Sequence, residues 1–349
     1  MEDIRIGIVG CGGMAYTHTI GIAQHGRARV TAIAEPKEAN RERFLKFGLP
    51  GWIEHSMATD DSLRKAVKTI RSAGGKYAVY TNYKRMVERE PLDAVLILTP
   101  HTLHYRQILD ALDAGLHVLV EKPMACTTRD AEDIVKAARK SRKVVGVAYQ
   151  RHVTPIYIYL RETVRSGKIG KVEHILFNLC QSWYQFTKGT WRRSPKYAGG
   201  GELMDSGSHI VDAMLWVTGL KPKRVFGKMI YFDARVDINS AVIVEFANGA
   251  MGQINIIGKT PIPFGEELIL TGSNGALHWK WDTLEYYDAN GKKSPAEIPS
   301  YPQMTPVGNF LDAIEGKAQI AAPPECGLGV VRVTEAAFKS SKLGRYVNL

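Results

Sequence analysis

The chain lacks the features that mark secreted, membrane and zinc-binding proteins. Its 349 residues contain four scattered cysteines and no CxxC pair, so we expect neither a disulfide framework nor a structural zinc site. No apolar run approaches the ~18 residues of a membrane-spanning helix. The first residues, "MEDIRIGIVG", show no basic leader followed by an apolar segment. These absences predict a cytoplasmic protein that does not contact a membrane.

A concentrated basic element is also missing, although the formal net charge is +11. The densest basic run, "KAARKSRK" at residues 136–143, is typical of the last turns of a helix, where cations interact favourably with the dipole. A nucleic-acid binder would place aromatic residues among its basic ones on one element. We therefore expect no nucleic-acid partner, and a positive field that attracts an anionic cofactor.

The first 150 residues alternate short apolar runs with amphipathic stretches. The runs "IRIGIVG", "VTAIAE", "AVLILTP", "HVLVEKP" and "VVGVAY" suit parallel strands that are buried on both faces. Strand–helix alternation predicts a doubly wound α/β (Rossmann) domain over residues 1–150. Residues 49–77 make one crossover unusually long, and we interpret them as an inserted helical element. It is either a peripheral element that packs on the first domain, which we favour, or a lid or oligomer contact.

The second half, residues 151–349, has a different pattern. Asn-Gly pairs at residues 248–249, 274–275 and 290–291 lie between alternating apolar residues and predict β-hairpins. We expect an antiparallel sheet, a helix that begins near Ser206, and two closing helices over about 305–316 and 327–342. These closing helices could pack back on the first domain.

The motif "GIVGCGGMA" follows the first strand and opens a helix. Its G-x-G-x-x-A spacing provides a tight turn, a close backbone approach to a pyrophosphate and a helix N-terminus that faces the phosphates. We expect this loop to bind a dinucleotide through Gly10, Gly12, Gly13, Met14 and Ala15.

An acidic residue, Glu35, ends the second strand. A carboxylate there accepts both ribose hydroxyls of an adenosine and repels a 2′-phosphate, which favours NAD over NADP. Lys37 and Arg41 follow closely and could partly reverse this preference.

The motif "LTPHTLHY" ends another strand, where ligands bind in open α/β sheets. We expect Thr99, Pro100 and His104 to contribute to the cofactor site. His101 and His104 form an HxxH pair that could suggest a metal, but no third ligand lies nearby in sequence. The alternative is histidines that hydrogen-bond within the next turn, and we expect no metal.

The motif "EKPMA" ends the following strand, and Pro123 fixes the turn after it. Glu121 and Lys122 then lie at the strand tip, beside the expected nicotinamide. A Lys122 ammonium there can stabilise a developing alkoxide or transfer a proton.

The stretch "YAGGGELMDSGSH" places Asp205 and His209 four residues apart. On a helix that begins near Ser206 they would lie one turn apart on one face. We expect the Asp205 carboxylate to orient the His209 imidazole and favour its protonated form. Asp212 is a rival partner for His209.

These motifs and "YQRHVTP", in this order, resemble the Gfo/Idh/MocA oxidoreductases over nearly the whole chain. The resemblance implies a Rossmann domain followed by a C-terminal α/β domain with an open, mainly antiparallel sheet, through which members form homodimers or homotetramers. It assigns the catalytic roles to Lys122, Asp205 and His209. Two departures are His101, where the family often has Asn, and the long segment at 49–77.

The expected reaction is NAD(P)-dependent oxidation of a secondary alcohol on a sugar or cyclitol such as inositol, with His209 as the base. Gln150 is a further cofactor candidate. Trp183 and Tyr184 suit packing as well as a site role. The alternatives are an NAD-dependent glycosidase with transient redox chemistry and a non-catalytic regulator. The substrate candidates are Lys122, Arg151, Tyr157, Trp191, Arg192, Asp205 and His209.

Overall fold

The computed structural model describes residues 3–72, 76–281 and 283–349. Within them, the first sheet is parallel, with the strand order β3-β2-β1-β4-β5-β6. Central strands such as Ala94–Ile97 are buried along their whole length, as their continuous apolar sequences require. The predicted doubly wound domain is confirmed. Its strands are β1 Ile4–Val9, β2 Ala28–Ala34, β3 Ala78–Tyr80, β4 Ala94–Ile97, β5 His117–Val120 and β6 Val145–Val147.

Helices connect these strands. The helix after β1 carries the glycine-rich loop at its N-terminus, and the helices after β4 and β5 follow the other two strand-end motifs. These helices are α1 Gly13–His25, α2 Glu38–Leu45, α3 Gly51–Ser56, α4 Asp61–Ser72, α5 Tyr83–Arg89, α6 His104–Asp113 and α7 Thr128–Ser141.

The long crossover contains α3 and α4, and its residues 73–75 lie outside the described part of the chain. Ala66, Val67 and Ile70 of α4 join a buried cluster with Tyr16 of α1, so α4 lies against α1. The sequence reasoning did not predict β3, which pairs with β2. Its middle residue, Val79, is 44% exposed, so this three-residue strand lacks the apolar run of a buried one.

The second sheet has nine strands within the described residues, in the order β14-β13-β12-β11-β7-β10-β9-β8-β15. Only its β7–β10 pair is parallel, so the predicted open, mainly antiparallel sheet is confirmed. Its strands are β7 Val172–Gln181, β8 Pro222–Ile230, β9 Asn239–Phe246, β10 Met251–Ile257, β11 Phe264–Gly272, β12 Gly275–Lys280, β13 Thr283–Asp288, β14 Lys293–Pro295 and β15 Val347–Asn348.

The predicted hairpins are all present, with one correction of register. Gly249 and Gly291 have φ of +90° and +78°, a left-handed conformation that glycine adopts without strain. In the hairpin between β11 and β12, however, Gly272 pairs with Gly275. The turn therefore lies one residue earlier than Asn274-Gly275.

Helices cover one face of the second sheet. Helix α11 contacts β7 and β10, and α13 contacts β8. The closing helices also pack against the first domain, since α12 contacts α1 and α13 contacts α7. These helices are α8 Pro155–Arg165, α9 Trp183–Phe186, α10 Pro195–Ala198, α11 Gly207–Thr218, α12 Pro306–Ile314 and α13 Pro324–Leu343. No helix among the described residues is long and apolar enough to cross a membrane.

Candidate active site

The glycine-rich loop leaves open space at the N-terminus of α1. Gly10 has φ +94°, and a Cβ there would lie 2.9 Å from the Leu98 carbonyl oxygen, whereas a Cβ on Gly12 or Gly13 would meet nothing within 4 Å. The first turn of α1 has no acidic residue and no side-chain cap. Its backbone amides therefore suit an anion such as a dinucleotide diphosphate. Ala15 is buried and provides close helix–strand packing.

Glu35 ties the ends of the first two strands together. Its Oε2 accepts a hydrogen bond from the Cys11 amide at 2.9 Å, and its Oε1 accepts one from the Lys37 amide at 2.8 Å. Arg41 donates to the Glu35 backbone carbonyl at 3.0 Å, so it lies beside the acid. The position of Glu35 suits contact with an adenosine ribose, which stays a prediction.

A cleft of about 530 Å³ runs along the carboxyl ends of the first sheet. Thr99 and Pro100 line it from the first domain, and Trp191 and Tyr197 line it from the second half of the chain. Met14 is 38% exposed at the start of α1. Gln150 is exposed and lies outside the set of described residues that line the cleft. The volume and the open glycine loop fit NAD(P).

The HxxH histidines are buried and hold loops together. His104 contacts the Pro123 carbonyl through Nδ1 at 2.8 Å and the Thr99 carbonyl through Nε2 at 2.7 Å. Because His104 is fully buried and both nitrogens are occupied, it supports these loops from behind. This corrects the predicted direct contact between His104 and the cofactor, and His104 has no nitrogen left for a metal.

Sequence reasoning did not assign His101 to the site, but it lies there. Its Nδ1 contacts the Ala198 carbonyl at 2.9 Å, and its ring packs edge-on against Trp191 at 4.8 Å. Its Nε2 lies 3.7 Å from Asp205 Oδ1. Burial lowers the pKa of His101 to about 3. The His101 imidazole is therefore uncharged where it lines the site.

Lys122 and Asp205 form the central ion pair. Lys122 Nζ lies 2.7 Å from Asp205 Oδ1 and 3.2 Å from the Asp205 carbonyl oxygen. Just before Lys122, Glu121 is buried against His18 Nε2 at 2.8 Å. Glu121 also accepts a hydrogen bond from the Lys122 amide at 3.3 Å, so it supports the strand tip.

Asp205 has two further donors. Arg192 Nε lies 2.7 Å and Trp183 Nε1 lies 3.1 Å from Asp205 Oδ2. Burial alone would raise the pKa of Asp205, but the charges of Lys122 and Arg192 hold that pKa well below its usual range. Asp205 is therefore ionised, and its carboxylate accepts hydrogen bonds from Lys122, Arg192 and Trp183. Trp183 has a site role through this hydrogen bond, while Tyr184 bonds to Asp233.

The prediction that Asp205 orients His209 is wrong, because the Asp205 carboxylate pairs with Lys122 and Arg192. Asp205 precedes α11, which begins at Gly207, so the one-turn spacing on a helix face does not apply. Asp212 pairs with His152 Nε2 at 3.0 Å and is not the partner of His209 either.

His209 is half-buried near the ion pair. Its Nδ1 has no hydrogen-bond partner among the described residues, and its ring lies edge-on to Tyr149 at 6.0 Å. Burial, and then the positive charges of Lys122 and Arg151, lower the pKa of His209 well below its usual range, although Asp205 opposes this. The imidazole is thus neutral and able to accept a proton, contrary to the expected preference for the protonated form.

The glycine run brings Asp205 into place. Gly199 has φ +72°, and a Cβ on Gly201 would lie 1.8 Å from the Asp237 carbonyl oxygen. The Asp237 carboxylate accepts hydrogen bonds from the Gly201 amide at 2.6 Å and the Leu203 amide at 2.9 Å. Gly201 therefore allows a close backbone approach that fixes this segment.

Arg151 and Tyr157 converge on a residue that the sequence did not indicate. Arg151 Nη2 donates to Glu266 Oε2 at 2.6 Å, and the Tyr157 hydroxyl donates to Glu266 Oε1. Arg151 keeps Nε and Nη1 without a partner in the described part of the chain. Nothing local in the sequence marks Glu266, because it lies 115 residues after Arg151.

Comparisons with known proteins agree with this geometry. Residues 4–149 match the model of the GFO/IDH/MocA oxidoreductase family, NAD-binding Rossmann fold, and residues 157–278 match the GFO/IDH/MocA C-terminal domain. The alignments with curated relatives span from 49% to 90% of those proteins' lengths.

Two relatives and one solved structure illustrate the similarity. The chain is 29% identical to D-glucoside 3-dehydrogenase of Escherichia coli, over 84% of this chain and 90% of that one. It is 26% identical to the NADP⁺-dependent scyllo-inositol 2-dehydrogenase of Bacillus subtilis, over 74% and 79%. The fold superposes on levoglucosan dehydrogenase, solved with NADH and levoglucosan, with a TM-score of 0.81, 18% identity and 99% coverage of both chains.

The two domain matches, the sheet order and the glycine-rich loop all lead to one assignment. This chain belongs to the GFO/IDH/MocA family of oxidoreductases, which bind NAD(P) on a Rossmann fold.

Proposed function

We propose that the protein is an NAD(P)-dependent dehydrogenase that oxidises a secondary alcohol of a sugar or cyclitol. The observation that carries this proposal is the Lys122–Asp205 ion pair, with His209 near both charges, at the carboxyl end of the sheet that carries the glycine loop. Lys122 is held 2.7 Å from an ionised carboxylate, and the neutral His209 lies close enough for both charges to affect its pKa.

The residues at hand fit the cofactor. Gly12, Gly13 and the N-terminus of α1 would hold the diphosphate, and Glu35 would bind the ribose of the adenosine. Thr99 and Pro100 would contact the rest of the cofactor along the cleft. A bound NAD(P) would supply the hydride acceptor for oxidation of the carbon that carries the hydroxyl group.

The protein's own side chains manage the proton and the charge on oxygen. His209, neutral at physiological pH, accepts the hydroxyl proton. The Lys122 ammonium stabilises the negative charge that develops on the oxygen. Asp205 fixes the Lys122 ammonium and also holds Arg192 at the site. General-base help of this kind is typically worth ~10²–10⁴-fold in rate.

NAD is the proposed cofactor in preference to NADP. The Glu35 carboxylate lies at the end of β2, where it would repel a 2′-phosphate. Arg41 lies beside Glu35, bonded to its carbonyl, and moderates this preference.

Relatives support the substrate class. One relative is named for oxidation of D-glucosides and another for scyllo-inositol. Both names describe hydroxylated six-membered rings, which is the class we propose here.

We also propose a homodimer or homotetramer in the cytoplasm, assembled through the face of the second sheet opposite its helices. In support, three apolar side chains on that face are exposed, and exposed apolar patches mark interaction surfaces: Ile230 is 48%, Met251 37% and Ile257 37% exposed.

The test is a panel of polyols, inositols and pyranosides with NAD⁺ or NADP⁺, followed by the absorbance of the reduced cofactor. Stoichiometric NADH formation with one substrate class supports the proposal. Hydrolysis of a glycoside without net NADH would instead indicate an NAD-dependent glycosidase. Cofactor binding without any turnover would indicate a regulator.

A further inference from the structure

Three side chains of metal-binding types lie together where α11 and α13 meet. They are His152, in the turn between β6 and α8, Asp212 of α11, and Cys326, in the first turn of α13. An imidazole nitrogen, a carboxylate oxygen and the thiol sulfur from these residues all lie within 4.8 Å of one another. We call the three residues the His–Asp–Cys cluster.

The His152 imidazole is held in the orientation that a metal ligand needs. Its Nδ1 lies 2.7 Å from the Ala321 carbonyl oxygen, and a carbonyl oxygen accepts only from a nitrogen that carries a hydrogen. The ring also stacks on Trp216 at 4.2 Å. A carbonyl bonded to the outer nitrogen is the usual arrangement of a metal-bound histidine. In the neutral imidazole, Nε2 then offers its lone pair to the cluster.

This lone pair faces the Asp212 carboxylate, which is also an acceptor. Both carboxylate oxygens lie 3.0 Å from His152 Nε2, yet Oδ2 makes no hydrogen bond within the described residues. Asp212 is 1% exposed, and buried polar atoms are normally satisfied. A positively charged species must therefore join the two groups, either a proton or a metal ion.

A metal ion satisfies more of the cluster than a proton does. A proton shared by His152 Nε2 and Asp212 Oδ1 leaves Oδ2 unbonded, and the Cys326 thiol forms no disulfide. The 3.0 Å separation is close to the ~3.3 Å between two ligands of a tetrahedral ion with bonds of ~2.0 Å. The donors therefore need only a small shift to bind a metal ion.

The charges at the cluster match a divalent cation. Asp212 and a Cys326 thiolate supply two negative charges, and the N-terminus of α13 favours the thiolate. The charges of Arg161 and Arg151 also act on Asp212, which weakens cation binding, but Arg151 is already paired with Glu266. Burial raises the pKa of the Cys326 thiol to about 12, so metal binding must displace its proton and weakens as pH falls.

We propose that the His–Asp–Cys cluster binds Zn²⁺. Imidazole, carboxylate and thiolate are the ligand types that zinc combines, and a water molecule takes the fourth tetrahedral position. Cys326 is half-buried, so an ion enters from that side. The ion joins three segments that are distant in the chain, which makes its role structural. This proposal revises the expectation of no metal, which rested on the absence of closely spaced ligands in the sequence.

The test is metal binding by the intact protein after treatment with a chelator and dialysis against Zn²⁺ or Co²⁺. We expect one Zn²⁺ per chain and, with Co²⁺, the charge-transfer absorption of a cobalt–thiolate bond. Cys326→Ser should remove this absorption and lower zinc affinity by about tenfold or more, as should Asp212→Asn for the affinity. Cys180→Ser, which changes another half-buried thiol, is the matched control and should retain both.

Thermal unfolding supplies a second readout. Zn²⁺ at about 100 times its Kd should raise the melting temperature of the wild type by about 3 °C or more. The melting temperature of Cys326→Ser should not respond in this way. Neither readout requires turnover, so both are independent of the proposed function.

Three results would overturn the proposal. The first is a protein that retains no zinc, in which case a shared proton holds the cluster together. The second is a cobalt–thiolate absorption that persists in Cys326→Ser. The third is Co²⁺ binding without that absorption, which would place the ion at His25, Asp312 and Glu315, a set of possible ligands without a thiol.

Discussion

Lys122 Nζ lies 2.7 Å from Asp205 Oδ1, while His209, the third member of the candidate catalytic group, has an Nδ1 that bonds to neither. Asp205 neutralises the lysine and an arginine rather than orienting the histidine. The histidine is kept neutral by burial and by the cations around it. Asp205 therefore serves Lys122 as an ion-pair partner, while burial and the nearby positive charges, that of Lys122 included, set the protonation state of His209.

The pH dependence of the reaction should change in a defined direction in Lys122→Met. The Lys122 charge lowers the pKa of His209, so its removal raises that pKa. The acid limb of the kcat/KM profile should move to higher pH, together with a loss of rate. Lys136→Met, which removes a largely exposed cation of α7, is the control. An acid limb that stays in place or moves to lower pH would contradict the account.

Cofactor selection should depend on Glu35. We expect Glu35→Gln to lower the ratio of kcat/KM for NAD⁺ over NADP⁺ by about fivefold or more, since a charge–charge repulsion of ~1 kcal/mol or more is lost. The change keeps one acceptor for the Cys11 or Lys37 amide. Glu38→Gln, at the exposed start of α2, should leave the ratio as it is. An unchanged ratio in Glu35→Gln would show that another group selects the cofactor.

Alanine substitutions at Gly12 and Gly201 should affect different properties, cofactor affinity in the first case and stability in the second. In Gly12→Ala the new Cβ meets nothing, so the melting temperature should hold while the affinity for NAD⁺ falls by about tenfold or more, because the Cβ occupies the pyrophosphate space. In Gly201→Ala the Cβ would lie 1.8 Å from a backbone oxygen. This variant should lose ~1–3 kcal/mol of stability through overpacking.

Gly51→Ala is the control for both, since its Cβ also meets nothing and it lies at the start of α3. It should preserve both stability and NAD⁺ affinity. Tight NAD⁺ binding by Gly12→Ala would mean that the glycine loop does not hold the diphosphate.

How much of this arrangement the sequence predicts depends on the range of the interaction. The Rossmann sheet, the hairpins and the open second sheet follow from apolar runs and turn residues that act locally. The strand β3 was missed because a three-residue edge strand leaves no such run. The start of α11 was predicted near Ser206 and is found at Gly207, within the usual uncertainty of helix boundaries. The pairing of Asp205 with His209 was nevertheless wrong, because Asp205 lies outside the helix and its carboxylate accepts hydrogen bonds from Lys122, Arg192 and Trp183.

The partners in the site come from distant parts of the chain. Lys122 and Asp205 are 83 residues apart, and the bond between Arg151 and Glu266 spans 115. Sequence motifs placed Lys122, Asp205 and Arg192 in one region but could not show that one carboxylate accepts from both cations. Glu266 carries no local signal, because β11 meets Arg151 and Tyr157 only in the folded chain.

Stability should depend on pH through Glu202, whose buried carboxyl oxygens have no partner among the described residues. Burial, with the charges of Asp237 and Asp205, raises its pKa to about 9. The folded state therefore holds the proton that the unfolded state releases. The stabilising contribution is complete below the unfolded pKa and is lost as pH rises toward about 9, by about 1.4 kcal/mol per pH unit.

Denaturant unfolding of Glu202→Gln between pH 5 and pH 9 tests this contribution. The free energy of unfolding of the variant should fall less with rising pH than that of the wild type. Glu54→Gln, which changes an exposed acid on α3, should follow the wild type. Parallel curves for Glu202→Gln and the wild type would show that Glu202 is ionised in the folded protein.

The most direct test of the central claim is turnover by His209→Asn on the best substrate from the panel, measured together with NAD⁺ affinity. The account predicts that kcat falls by ~10²–10⁴-fold, the usual worth of a general base, while NAD⁺ binds as in the wild type. His174→Asn, on the opposite face of the second sheet, should retain full activity. Unchanged turnover by His209→Asn would contradict the claim that this imidazole accepts the proton from the substrate.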